Sequence, residues 1–249
     1  MTSVIDININ ETSYEAATRQ IQIWAQAKES RAVYAANVHL IMEAHDALKF
    51  RKVFSRADLI TPDGMPLVWV LHLKGVKNQP RTYGPTLMLH VLEMAAHEKI
   101  PVGFYGGEQR TLDTLVARMK SIYPDLRIGY SFSPPFRPLN EQEVVQIRQQ
   151  IGRSGIRILF VGLGCPRQEE WIDAQRGHIP AVMIGVGAAF DFHAGAKPQA
   201  PLWMQQLGLE WLFRLFTEPR RLWKRYLYHN PRFVFLAVAD LLGLLKKAD

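Results

Sequence analysis

The feature that most restricts this chain is an alternation. From Val4 to about residue 193, short runs rich in β-branched residues alternate with longer amphipathic stretches. A parallel strand needs a crossover of a dozen or more residues before the next can lie beside it, so this pattern points to a parallel sheet covered by helices. The runs predict strands over residues 4–9, 32–36, 59–60, 101–105, 127–131, 157–161 and 181–186. Helices are expected over 14–28, 85–98 and 108–119, the first behind the cap candidates Thr12 and Ser13. Asn140 and Glu143 form a capping-box pair ahead of the periodic Val144, Ile147 and Ile151. The fold class expected is α/β, with a Rossmann-like parallel core.

After Ala194 the alternation stops. Residues 196–201 read as a proline-containing link, followed by LWMQQLGLEWLFRLF, an apolar helix carrying Gln206, Glu210 and Arg214 at i, i+4 spacing. Thr217-Glu218-Pro219 reads as a break, and Pro219 can open a second helix with Arg221 and Arg225 on one face and Arg220 and Lys224 on the next. The chain therefore divides into an α/β core, 1–195, and a basic amphipathic helical appendage, 196–249. Net charge is +7, and between Phe213 and Arg232 six Lys or Arg face one acid, Glu218. Such a patch serves nucleic acid, anionic lipid, a phosphorylated substrate, or solvent alone. Trp211, Phe213, Phe216, Trp223 and Tyr226 interleave it, which suits an interfacial helix better than a nucleic-acid stripe.

The single cysteine, Cys165, excludes an internal disulfide, and a reducing, cytoplasmic location is the default expectation. The opening MTSVIDININ has no basic n-region or apolar h-region, so no leader is expected. The longest nearly apolar stretch, 233–245, contains Asp240 and is too short to span a bilayer, so membrane contact would be peripheral.

Ligands of open parallel sheets bind beyond the carboxyl ends of the strands. Asp63, between a strand end and Gly64, can be a general base for an alcohol or the cap of a helix starting near Met65. Gly106-Gly107 leads from a strand towards a helix, where backbone N–H groups can approach a diphosphate or merely close a tight turn. Arg167 and Gln168 open a helix after Pro166 and could meet phosphate or a nucleobase, although Glu169 and Glu170 also suit a surface helix start. Asp191, between Phe190 and Phe192, needs a partner such as a ribose hydroxyl or a backbone N–H. His39, His178 and His193 lack metal-ligand spacing, and no Asp-x-Asp motif is present, so no metal site is expected.

At these residues the sequence resembles the WecG/TagA/CpsF family of glycosyltransferases. The similarity runs through AANVH, TPDGMPLVW, RTYGP, GFYGG, SPPFRPL, VGLGCPRQEEW, GVGAAFDFHAG and GLEWLFRLFTEPRRLWKRYL, in that order. The resemblance implies an inverting, metal-independent transferase that needs no cofactor and uses a UDP-sugar donor and an undecaprenyl-diphosphate-linked acceptor at the inner face of the cell membrane. It implies Asp63 as general base; Asn37, Arg81, Gly106, Gln168 and Asp191 on the donor; and Arg214, Arg221 and Lys224 on the lipid diphosphate or an anionic membrane surface. A homo-oligomer is compatible with it, and nucleic acid is not an expected partner. Family members often carry Thr two residues before the Asn, where this chain has Ala35, which leaves N-acetylmannosamine, its uronic acid and glucose open as donor sugars.

Two other classes fit the core less well. A nucleotide- or nucleic-acid-binding module would use the basic tail without UDP. A cofactor-using epimerase would need a dinucleotide fingerprint that neither Gly162-Leu163-Gly164 nor Gly185-Val186-Gly187 completes.

Overall fold

The computed structural model describes residues 1–245. In chain order the elements are β1 (Thr2–Val4), β2 (Ile7–Ile9), α1 (Tyr14–Gln26), β3 (Arg31–Ala36), α2 (Val38–Asp46), α3 (Leu48–Ser55), β4 (Leu59–Pro62), α4 (Met65–Leu73), α5 (Gly84–His97), β5 (Val102–Gly106), α6 (Gln109–Ile122), β6 (Ile128–Phe132), α7 (Glu141–Ser154), β7 (Ile158–Gly162), α8 (Arg167–Gln175), β8 (Val182–Gly185), α9 (Ala189–Ala194), α10 (Leu202–Gln206), α11 (Glu210–Thr217) and α12 (Pro219–Leu241). Six strands form the parallel sheet that the alternation predicts, in the order β4-β3-β8-β7-β5-β6. No helix among the described residues is long and apolar enough to cross a membrane.

The chain separates into two compact units. One comprises residues 14–34 and 84–197 and holds most of the sheet. Its strands β5, β7 and β8 are buried along nearly their whole length, as a sheet covered on both faces requires. Phe104 stacks on Phe160 and meets Phe190 edge-on, at centroid distances of 5.6 and 5.8 Å. Helix α1 buries Ala17, Ile21 and Ala25, one residue per turn of a single stripe. The capping box forms as expected: Asn140 Oδ1 accepts from the Glu143 N–H, and the Glu143 carboxylate accepts from the Asn140 N–H.

The other unit comprises residues 1–13, 35–83 and 198–249. Here one expectation is corrected: residues 4–9 are not one strand but a hairpin, with Val4 paired to Ile7 and a two-residue turn at Ile5 and Asp6. Both turn residues have positive φ, 51° and 62°, as a tight hairpin turn of this hand demands. For a β-branched residue such as Ile5 that conformation is rare. It is held because Ile5 is fully buried and its N–H donates to Asp240 Oδ2 of α12 at 2.8 Å. The same carboxylate oxygen takes Lys74 Nζ at 2.6 Å, so the last helix is tied to both the hairpin and the end of α4. Leu222, His229, Phe233 and Ala237 form the buried stripe of α12, and burying Leu222 and Phe233 contributes about 1.5–3 kcal/mol each, as an upper bound.

Candidate functional site

Asp63 directly follows β4. Its N–H and that of Gly64 both donate to the carbonyl of Ala36, at 2.8 and 3.2 Å, which pins the turn after β4 to the end of β3. The cap position of α4 is Gly64, so Asp63 lies one residue ahead of the cap. It is 9% exposed. The Nδ2 of Asn37 faces Asp63 Oδ2 at 3.5 Å, and Arg81 Nη2 lies 3.8 Å from Oδ1 while its Nε donates to the Asp63 carbonyl. Asn37 also caps α2, where its Oδ1 accepts from the Leu40 N–H at 3.2 Å. The cap fixes the rotamer, and the rotamer aims the amide N–H group at the carboxylate.

Arg81 is also engaged from the tail. Its Nη2 sits 2.6 Å from Glu210 Oε2 in α11, and the Tyr83 hydroxyl donates to Glu210 Oε1 at 3.0 Å. The guanidinium lies 4.1 Å from the centre of the Tyr83 ring. Burial works against the Arg81 charge, but the carboxylates of Asp63 and Glu210 outweigh it and raise its pKa above the ordinary value. Burial, with Glu210 and Asp63 adding to it, pushes the Tyr83 phenol well above its usual range. Glu210 stands out in the sequence only as one member of an i, i+4 series, and its pairing with Arg81 is a tertiary fact that local spacing does not carry.

In the unit that holds most of the sheet, Gly106 ends β5 with φ +118°, and a Cβ there would come within 2.6 Å of the Gly162 carbonyl oxygen, so only glycine fits. The next N–H, that of Gly107, donates to Gly162 O at 3.1 Å and is thus used within the protein. Gln168, in the first turn of α8, is buried. Its Oε1 accepts from the Gly187 N–H at 3.0 Å and its Nε2 donates to Glu169 Oε1 at 2.7 Å, leaving the second amide hydrogen to offer. Gly185 makes room for this side chain, since a Cβ there would lie 3.0 Å from Gln168 Nε2. Glu169 is fully buried rather than a surface acid. Burial pushes its pKa up to about 8 against the hydrogen bond from Gln168. Asp191, in α9, pairs with Lys197 Nζ at 2.8 Å, and its carbonyl accepts from the N–H groups of Ala196 and Lys197.

Of the tail residues, Arg214 lies half-buried in α11, while Arg221 and Lys224 are exposed in the first turns of α12. Arg221 pairs with Glu218 at 2.7 Å, and the Lys224 ammonium sits 5.5 Å from the Trp223 ring centre. Phe216, Trp223, Leu227 and Tyr228 are exposed beside them. Histidines that look scattered in the sequence come together here: His39 of α2 and His229 of α12 approach to 5.1 Å between ring centres, with Glu43 beside both.

The sequence matches the family model described as "Glycosyl transferase WecG/TagA/CpsF family" over residues 2–247. It is 31% identical over 223 residues to an N-acetylglucosaminyldiphosphoundecaprenol N-acetyl-beta-D-mannosaminyltransferase of Bacillus subtilis, covering 89% of this chain and 84% of that protein. It is 34% identical over 204 residues to a protein of the same name from Bacillus spizizenii, covering 81% and 76%. The chain therefore belongs to the WecG/TagA/CpsF family and is a glycosyltransferase.

Proposed function

We propose that this glycosyltransferase moves a sugar from a UDP-sugar to a saccharide carried on undecaprenyl diphosphate, inverting the anomeric centre, with Asp63 as general base. The observation that carries the reading is the buried Asp63 carboxylate at the end of β4, between the Asn37 amide and the Arg81 guanidinium. As the acceptor oxygen attacks the anomeric carbon, its proton passes to Asp63, the bond from that carbon to the diphosphate oxygen breaks, and UDP leaves with the electron pair. Charge grows on the diphosphate, and donors already in place stabilise it without reorganisation. Arg81, 3.8 Å from the Asp63 carboxylate, takes that role once the donor diphosphate replaces Glu210 as its partner. With no Asp-x-Asp motif in the chain, side chains and backbone donors supply the positive field, and transfer is independent of Mg²⁺.

In this reading Asn37, Arg81, Gly106, Gln168 and Asp191 contact the donor, and residues 1–195 carry its binding and the chemistry. Residues 196–249 serve the acceptor: Arg214, Arg221 and Lys224 meet the lipid diphosphate or the anionic inner leaflet, and attachment is peripheral. The exposed Phe216, Trp223, Leu227 and Tyr228 beside Arg220, Arg221 and Lys224 support this, because aromatic rings suit the interface and each basic residue near an anionic leaflet contributes about 1 kcal/mol. The names of the two Bacillus relatives favour N-acetylmannosamine over its uronic acid or glucose as the donor sugar. Incubation with a synthetic lipid-diphosphate N-acetylglucosamine and each of the three UDP-sugars, followed by product mass and anomeric NMR, tests the reading. A β-linked N-acetylmannosaminyl product is expected. Transfer to no lipid-linked acceptor from any UDP-sugar would overturn it.

A further inference from the structure

We propose that His39, Glu43 and His229 form a binding site for one Zn²⁺ ion that bridges α2 to α12. The cluster uses none of the residues assigned to the transfer reaction. His39 and Glu43 are one helical turn apart on α2, and His229 reaches them from the buried stripe of α12. Glu43 Oε1 lies 3.6 Å from His39 Nδ1 and 3.4 Å from His229 Nε2, and the ligand atoms of the three residues all fall within 4.8 Å of one another. Tetrahedral zinc with bonds of about 2.0–2.1 Å sets its ligands roughly 3.3 Å apart, so small side-chain adjustments close the set.

Two further observations point the same way. His39 Nδ1 is buried and makes no hydrogen bond, a condition that native proteins rarely leave uncompensated. A metal on His39 Nδ1 satisfies the nitrogen that faces Glu43. The frame is also already fixed: three residues beyond Glu43 and three beyond His229, Asp46 and Arg232 form a two-pronged ion pair at 2.6 and 2.7 Å, so the helices are held in register at this point. Arg214 and Arg225 lie close enough to oppose a cation, so binding rests on the direct bonds from the imidazoles and the carboxylate. Two histidines and a carboxylate with one open position suit Zn²⁺ and disfavour Mg²⁺ and Ca²⁺, which take oxygen ligands.

The full chain, dialysed against EDTA, would be titrated with Zn²⁺ while bound metal per chain and thermal unfolding are measured, with Co²⁺ as a spectroscopic probe of coordination. The expected result is one Zn²⁺ per chain, visible Co²⁺ bands of a four-coordinate site, and a Tm rise of about 5 °C or more at a hundredfold excess over Kd. His39→Ala, His229→Ala and the volume-conserving Glu43→Gln should each weaken binding about tenfold or more, since even outer-shell changes cost that much at metal sites. His178→Ala, at an exposed position, should not. Absence of stoichiometric Zn²⁺ uptake by the wild-type chain, or unchanged affinity in Glu43→Gln and both histidine variants, would overturn the assignment.

Discussion

Arg81 and Glu210 form a 2.6 Å ion pair in which the two side chains are only 15% and 14% exposed, so a carboxylate of α11 holds the guanidinium proposed to meet the donor diphosphate. The pair gives Glu210 two opposed effects. It supports the packing of α11, and it competes with any anion for Arg81.

Glu210→Gln is accordingly expected to tighten UDP binding about fivefold, the equivalent of roughly 1 kcal/mol for relief of a competing charge at a partly exposed site. The same change should lower Tm, because the buried guanidinium loses a charged partner. Calorimetric titration with UDP alongside thermal unfolding checks both, and weaker UDP binding with unchanged Tm would show that the pair does not compete with the ligand.

Glu169 makes stability depend on pH. Its pKa in the fold, about 8, lies above the ordinary 4.5, so between those values the folded chain keeps a proton that the unfolded chain has lost. Stability therefore falls as pH rises through that window. Glu169→Gln, which can still accept the hydrogen bond from Gln168, should unfold at a higher temperature than wild type at pH 8, with the difference shrinking towards pH 5. Parallel Tm profiles across pH 5–8 would contradict this.

Much of the core is legible in the sequence because its signals are local. Alternating runs mark the strands of the sheet, and Asn140 with Glu143 marks a helix start that forms as read. What escapes depends on residues far apart in the chain. The hairpin at Ile5 and Asp6 lacks the usual glycine or asparagine, and its turn is stabilised by Asp240, which no local rule can find. Asn37 is identifiable as a polar residue after a strand, but its role as the α2 cap becomes visible only with Leu40 in place. Glu169 looks like a surface acid in a charged helix start, whereas Tyr34, whose hydroxyl donates to its carbonyl, and Gln168 enclose it. Glu210, His39 and His229 acquire their partners only when α11 and α12 pack.

Asp240 joins the end of α12 to Lys74 and to the Ile5 N–H. Asp240→Ala removes both contacts and leaves a partly buried ammonium, so a loss of roughly 2–3 kcal/mol is expected, or a Tm fall of about 5 °C or more. A change within about 1 °C would mean that the hairpin and tail are held by apolar packing alone.

Transfer should survive EDTA and gain nothing from Mg²⁺ or Mn²⁺, because Arg81 and backbone donors are assigned the charge of the leaving diphosphate. Initial rates before and after chelation decide this. Loss of turnover that Mg²⁺ or Mn²⁺ restores would overturn the metal-independent route.

The role of Asp63 is tested most directly by the turnover of Asp63→Asn with UDP-N-acetylmannosamine and the lipid-diphosphate acceptor. The backbone bonds of residue 63 to Ala36 and Arg81 do not involve its carboxylate, so the fold and UDP affinity should be retained. Loss of a positioned base predicts a fall in kcat of roughly two to four orders of magnitude. Turnover near the wild-type rate, with UDP affinity unchanged, would contradict the assignment of Asp63 as general base.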